Sequence, residues 1–165
     1  MNDIHYSSAT PEWPTPRAFF DMLNAEFVFT LDPCATAENA KCDRFYTVDD
    51  DGLNQTWDGV VWMNPPYGAV IGRWIKKAFH EARKGAVVVA LVPARTDTRW
   101  WHDYVMKAAE IRLVRGRLKF GDATTGAPFP SAVVVFRPGK HKPSLSTIKR
   151  LPGLDYEQGE LLEAA

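Results

Sequence analysis

No Gly-x-Gly-x-x-Gly fingerprint occurs in this sequence, so a dinucleotide is not indicated as its ligand. Neither sign of charge is in excess: Lys+Arg 20 and Asp+Glu 20 give a formal net charge of +0. No global field therefore attracts a polyanion, and any nucleic-acid site must be a local patch. Cysteine is scarce, with only Cys34 and Cys42, and there is no Cys-x-x-Cys pair or Cys/His cluster. That argues against a zinc site, and no metal is expected. It also favours a reduced, cytoplasmic compartment, with both thiols acting as small, partly buried hydrophobes. Long apolar runs are missing as well. Nothing is long enough to span a bilayer, and no charged-then-apolar signal segment opens the chain, so a membrane partner is not expected. Internal repeats are absent.

What remains is ordinary globular material of 165 residues, 45% hydrophobic, enough for one domain with one sizeable core. The first ten residues are polar and read as loose. Thr15-Pro16 reads as a helix start, with Thr15 as N-cap and Pro16 at the first helical position; Phe19, Phe20 and Leu23 then supply a core stripe. Phe27 to Leu31 is β-branched and aromatic and reads as a strand; Arg44 to Val48 reads as a second. Val60 to Met63 is a short buried strand. Arg73 to Lys84 is an amphipathic helix stopped by Gly85, with His80 on its polar side. Ala86 to Val92 is unbroken apolar sequence, the mark of a strand covered on both faces. A helix from about Thr98 to Ala109, capped by Thr96 or Asp97, an edge-like strand Glu110 to Arg115 and a last strand Ser131 to Phe136 follow. Strands alternating with helices predict a mostly parallel α/β sheet. The last two strands have only a loop between them, so they should pair antiparallel and end the sheet. Residues 1–139 form the expected domain. Residues 140–165 have few apolar anchors and read as a mobile tail.

The stretch that organises the rest is Trp62-Met63-Asn64-Pro65-Pro66-Tyr67-Gly68. Two consecutive prolines make the exit from the strand rigid. Asn64 is thereby fixed at the strand's carboxyl end, where open α/β sheets bind ligands, with Tyr67 just beyond. An amide and an aromatic ring on a stiff turn suit a flat ligand carrying an amino group. The Asn64 side-chain oxygen and the Pro65 carbonyl can accept its hydrogens while the ring stacks on its plane. The plain alternative is a Pro-Pro turn with a surface tyrosine. Asp32 ends an earlier strand and precedes small residues, which fits either a cofactor pocket or a cap. Asp49 and Asp50 read as a solvated loop, whereas Asp51-Gly52-Leu53 stands where a loop can reach a pocket.

Several of these segments together resemble the small phage-type, Dam-like DNA N6-adenine methyltransferases. The matches are Thr15-Pro16, Leu31-Asp32-Pro33-Cys34-Ala35, Asn39, Asp51-Gly52-Leu53 before Trp57, Asn64-Pro65-Pro66-Tyr67, Leu91-Val92-Pro93-Ala94-Arg95-Thr96-Asp97-Thr98 and Pro128-Phe129-Pro130-Ser131-Ala132. The resemblance implies a Rossmann-like, S-adenosylmethionine-dependent methyltransferase fold. It implies a site-specific transfer of the sulfonium methyl to N6 of adenine in double-stranded DNA, in a bacterial cytoplasm and from a phage or prophage source. It assigns Asn64, Pro65, Pro66 and Tyr67 to catalysis. It assigns Thr15, Pro16, Asp32, Pro33, Asp51, Gly52 and Leu53 to S-adenosylmethionine. Cys34-Ala35-Thr36 stands where larger methyltransferases carry cofactor-loop glycines, and no separate target-recognition domain fits in the chain. Asn-Pro-Pro-Tyr alone also suits amine or amide methylation on RNA, cytosine N4 or protein glutamine; a non-catalytic nucleotide-binding module is the other alternative.

For DNA, the local patch expected is Arg95 to Lys119. It holds Arg95, Arg99, Lys107, Arg112, Arg115, Arg117 and Lys119 against Asp97, Asp103 and Glu110. Trp100 and His102 add flat side chains that could stack beside a flipped base. The plain alternative is a solvated helix and strand with buried tryptophans.

Overall fold

A computed structural model describes residues 13–150. Helix α1 (Arg17–Phe27) is followed by strand β1 (Val60–Met63), helix α2 (Ile71–Lys84) and strand β2 (Val87–Pro93). A short helix α3 (Arg99–Asp103) runs into a 3-10 turn (Val105–Lys107), and strands β3 (Glu110–Arg115), β4 (Ser131–Phe136) and β5 (Ser144–Lys149) complete the order. The sheet order is β1-β2-β4-β3-β5. β1 pairs parallel with β2 and β3 with β5, while β4 is antiparallel to both β2 and β3. All strands but β4 thus point one way, which is the mostly parallel mixed α/β sheet expected.

Three corrections follow. The reversed strand is internal, not terminal: β4 returns from β3 without a crossover helix and inserts between β2 and β3, where all its residues are buried. The expected tail begins with order, because Ser144–Lys149 lies in register along the whole of β3. Its side chains are mostly exposed, so sequence burial signals are weak there. What recruits it is the unpaired backbone edge of β3, which is consequently not an edge strand. The rest of that tail, 151–165, and the N-terminal residues 1–12 lie outside the described residues. Finally, the two early strands shrink to isolated parallel bridges, Leu31↔Val61 and Asp32↔Phe45. α1 takes Phe27, and Val28 closes it in the left-handed region at φ 55°.

Helix ends also differ from the sequence pattern. Pro16, not Thr15, is the N-cap of α1, and its carbonyl accepts from the Phe19 and Phe20 amides. Thr98 is the N-cap of α3, which stops at Asp103. Its aromatic residues are poor helix formers and find partners elsewhere: Trp101 is buried, and Tyr104 packs 5.5 Å from Phe79 of α2. α2 ends as expected at Gly85, whose φ of 127° suits only glycine and whose N–H reaches the Ala82 carbonyl.

The sheet is covered on both faces. On one, Phe20 of α1 meets Trp62 at 5.4 Å, and Glu26 of α1 holds Arg112 of β3 in a bidentate pair at 2.7 Å. On the other, Phe79 of α2 reaches Phe136 of β4. Glu81 of α2 is 1% exposed but satisfied: it accepts from the Trp57 amide, Lys77 and Lys84, which hold its carboxyl below the usual range against the cost of burial.

Candidate active site

β1 ends at Met63 opposite Ala90, and the parallel β2 runs on to Pro93 toward the same rim. Because β3 and β5 run the same way, the carboxyl ends of four strands gather on one rim. Asn64 to Tyr67 leave β1 there, Arg95 follows β2, and Arg117 follows β3. A cleft opens on this rim beside β1. Thr15, Asp32, Pro33, Asp51, Gly52, Asn64, Pro65 and Pro66 line it together with Trp13, Asn39, Val48 and Trp74.

Asp32 is 4% exposed and organises one wall. Its Oδ1 accepts from the Cys34 amide at 3.3 Å and its Oδ2 from the Lys41 amide at 3.1 Å. Burial raises its carboxyl to about 6, and those backbone bonds offset only part of the rise. Burial likewise pushes the Cys34 thiol up, with the Asp32 charge adding to it, and lifts Cys42 to about 12; both thiols therefore stay protonated. The next wall needs a glycine. A Cβ on Gly52 would lie 2.2 Å from the Pro33 carbonyl oxygen, so the Asp51-Gly52 loop can close on the Asp32 turn only without a side chain. The Gly52 carbonyl also accepts from the Trp57 indole at 2.9 Å, and Trp57 stacks on Trp74. Asp50 caps Thr47, as a loop acid should. Val48, between these, is 85% exposed at the cleft wall, an apolar surface with no protein cover.

Asn64 sits at the floor. Its Nδ2 donates to the Trp13 carbonyl at 2.6 Å and to Thr15 Oγ1 at 3.0 Å. Its Oδ1 is buried and has no partner among the described residues. Tyr67 is placed differently from the sequence expectation. Its ring is not in the cleft wall but buried among Trp13, Phe120 and Phe129, and its hydroxyl donates to the Leu91 carbonyl at 3.2 Å. Burial pushes the Tyr67 phenol up.

Two residues expected at the cofactor lie elsewhere: Pro16 heads α1, and Leu53 turns toward Arg73, Lys76 and His80 of α2. Trp13 and Val48 were not anticipated. Trp13 had a readable signal, because it and Thr15 each precede a proline. On the rim, Arg95, Arg99, His102, Arg115 and Arg117 are exposed. Arg99 pairs with Asp103, and Arg117 donates to the Ala127 carbonyl. Trp100 is half-buried against Trp101 and Gly72. Arg112 does not belong to this group, since Glu26 and Glu110 hold it under α1.

The sequence profile of the family described as DNA N-6-adenine-methyltransferase (Dam) matches residues 6–156. The chain belongs to this family. The DNA N-6-adenine-methyltransferase of Escherichia phage T1 is 32% identical over 109 residues, which is 64% of this chain and 45% of that protein. The chain thus spans less than half the length of that relative. The DNA N-6-adenine-methyltransferase of Haemophilus phage HP1 is 30% identical over 135 residues, 76% of this chain and 78% of that one. Among solved structures, a predicted O-methyltransferase, Atu636 of Agrobacterium tumefaciens, aligns with 73% of this chain and 62% of its own at 15% identity and a TM-score of 0.42. Among the described residues no helix is long and apolar enough to cross a membrane, and no group of three or more His, Cys, Asp and Glu side chains is placed to hold a metal ion.

Proposed function

We propose that this protein methylates N6 of adenine in double-stranded DNA, taking the methyl from S-adenosylmethionine, in the host cytoplasm of a phage or prophage. The observation that carries the reading is the Asn64 amide: its nitrogen is tied down and its oxygen is buried without a partner. A buried, unpaired acceptor costs free energy unless something donates to it, and the amino group of a base is such a donor.

Asn64 Oδ1 and the Pro65 carbonyl accept the two amine hydrogens. The amine lone pair is thereby drawn out of conjugation with the ring and toward the methyl donor, by positioning and fixed dipoles together. Pro65 and Pro66 hold both acceptors rigidly. When bound, S-adenosylmethionine supplies an electrophilic methyl on a sulfonium. The cleft fits it on three counts: the buried carboxylate of Asp32 is only partly offset by the Lys41 charge, Gly52 lets two loops close together, and Val48 offers an exposed apolar face. Pro33 and Asp51 complete that wall. The target atom is out of reach inside a duplex, so the base must be extruded. Stacking on Tyr67 then requires the Trp13 indole to give way, because the Tyr67 ring is buried against it. Arg95, Arg99, Arg115 and Arg117 meet the backbone on the rim, with His102 and Trp100 nearest the unstacked bases.

The test is transfer of labelled methyl to unmethylated duplex DNA, followed by nucleoside analysis. N6-methyladenine is expected; label in cytosine, in RNA only or in neither overturns the reading.

A further inference from the structure

We propose that Thr15 is a positioning residue for Asn64: its hydroxyl, with the Trp13 carbonyl, fixes the Asn64 amide so that Oδ1 is the open acceptor. The inference rests on the reading of Asn64 given above and assigns Thr15 a role other than holding the cofactor.

An asparagine amide on a turn can present either its oxygen or its nitrogen to a ligand. Here the choice is forced. The Trp13 carbonyl lies 2.6 Å from one end of the amide, and a carbonyl can only accept, so that end is the nitrogen. Thr15 Oγ1 at 3.0 Å takes the second hydrogen. With both donors engaged, the oxygen alone is left over, buried and without a partner among the described residues. A flipped amide would set its oxygen against the Trp13 carbonyl, acceptor to acceptor, and point donors at the substrate amine.

Both anchors are stiff. Trp13 precedes Pro14 and Thr15 precedes Pro16, so each is held extended by the ring that follows. The Gly121 amide donates to the Pro14 carbonyl at 2.9 Å, which ties the segment to the loop before β4. Thr15 is 5% exposed, and no cap bond to α1 accounts for its hydroxyl, since Pro16 is the N-cap and no side chain caps that helix. Engaging both N–H groups also polarises the amide and makes Oδ1 a better acceptor.

Thr15→Val keeps the shape and removes the acceptor; Thr15→Ser keeps the hydroxyl. Thr15→Val should lower kcat about tenfold, the worth of one such hydrogen bond, while calorimetric affinity for S-adenosylmethionine stays within about twofold. Thr15→Ser should recover most of the turnover. In an Asn64→Ala background, Thr15→Val should cost nothing more, because its effect runs through the missing amide. Should Thr15→Val not fold, Thr15→Ala gives the same readouts. Weaker cofactor binding with unchanged kcat would make Thr15 a cofactor contact and overturn the inference. Losses that add in the double variant would overturn it too, leaving the role of Asn64 intact. Near-normal turnover in Asn64→Ala alone would overturn both.

Discussion

Asp32 shows how one side chain can serve fold and ligand together. Both of its oxygens already accept backbone N–H groups, so it shapes the wall it lines, and the cap and pocket readings open in the sequence are one arrangement. Burial, only partly offset by the Lys41 and Cys34 amides and the Lys41 charge, sets its carboxyl near 6. The folded value lies above the ordinary 3.8, so the folded state holds the proton more tightly than the unfolded chain. Ionising Asp32 therefore costs stability, and this contribution makes the free protein gain stability as pH falls from about 7 toward 5. The charged form is the one that attracts a cationic ligand, so affinity for S-adenosylmethionine should fall over the same range. Asp32→Asn should flatten both profiles; calorimetry and thermal melts across that pH range check it. Wild-type profiles in Asp32→Asn would assign the titration to another group.

Among the elements, those that carried a long period were legible. Ile75, Ala78 and Ala82 mark α2 at helical spacing, and the run Val87 to Val92 can only be a strand buried on both faces. The failures share a physical cause: local sequence does not record what a backbone edge recruits. Phe29 to Asp32 has strand-like residues, yet only Leu31 and Asp32 form bridges before the chain turns, with Thr30 adding hydrogen bonds to Val60. Ser144 to Lys149 has few buried side chains, yet β3 pairs with all of it. Truncation after Gly139 should accordingly lower Tm by about 5 °C relative to truncation after Arg150, because it bares the β3 edge. The same change should leave methyl transfer largely intact, since β5 is separated from β1 by the three other strands of the sheet. Identical melts for the two truncations would mean that β5 adds nothing to stability.

Across the whole molecule, topology can gather a basic patch even though the net charge is +0. Strands that run the same way deliver Asn64, Arg95, Arg115 and Arg117 to one rim, although the sequence scatters them. The sequence pattern found the basic stretch but not its sorting: Arg112 points under α1, while Arg95 and Arg99 stand exposed beside the cleft end of β2. The Asn64-Pro65-Pro66 turn was legible because it is rigid by covalent structure alone. The burial of Tyr67 was not, because Phe120 and Phe129, which enclose it, come from the far end of the chain. Each lost phosphate contact should reduce the slope of log affinity against log salt by about 0.9 on duplex DNA. Arg95→Ala and Arg99→Ala should show that change and Lys76→Ala, on α2, should not. The reverse pattern would move DNA to the α2 side.

The central claim is that the unpartnered Asn64 Oδ1 accepts from the reacting amine. Its most direct test is single-turnover methyl transfer to unmethylated duplex by Asn64→Ala, with cofactor affinity measured on the same preparation. Turnover should fall by roughly 10²–10³-fold, as for deletion of one group from a preorganised polar site, with S-adenosylmethionine binding little changed. Near-normal turnover, or a loss explained wholly by weaker cofactor binding, would contradict it.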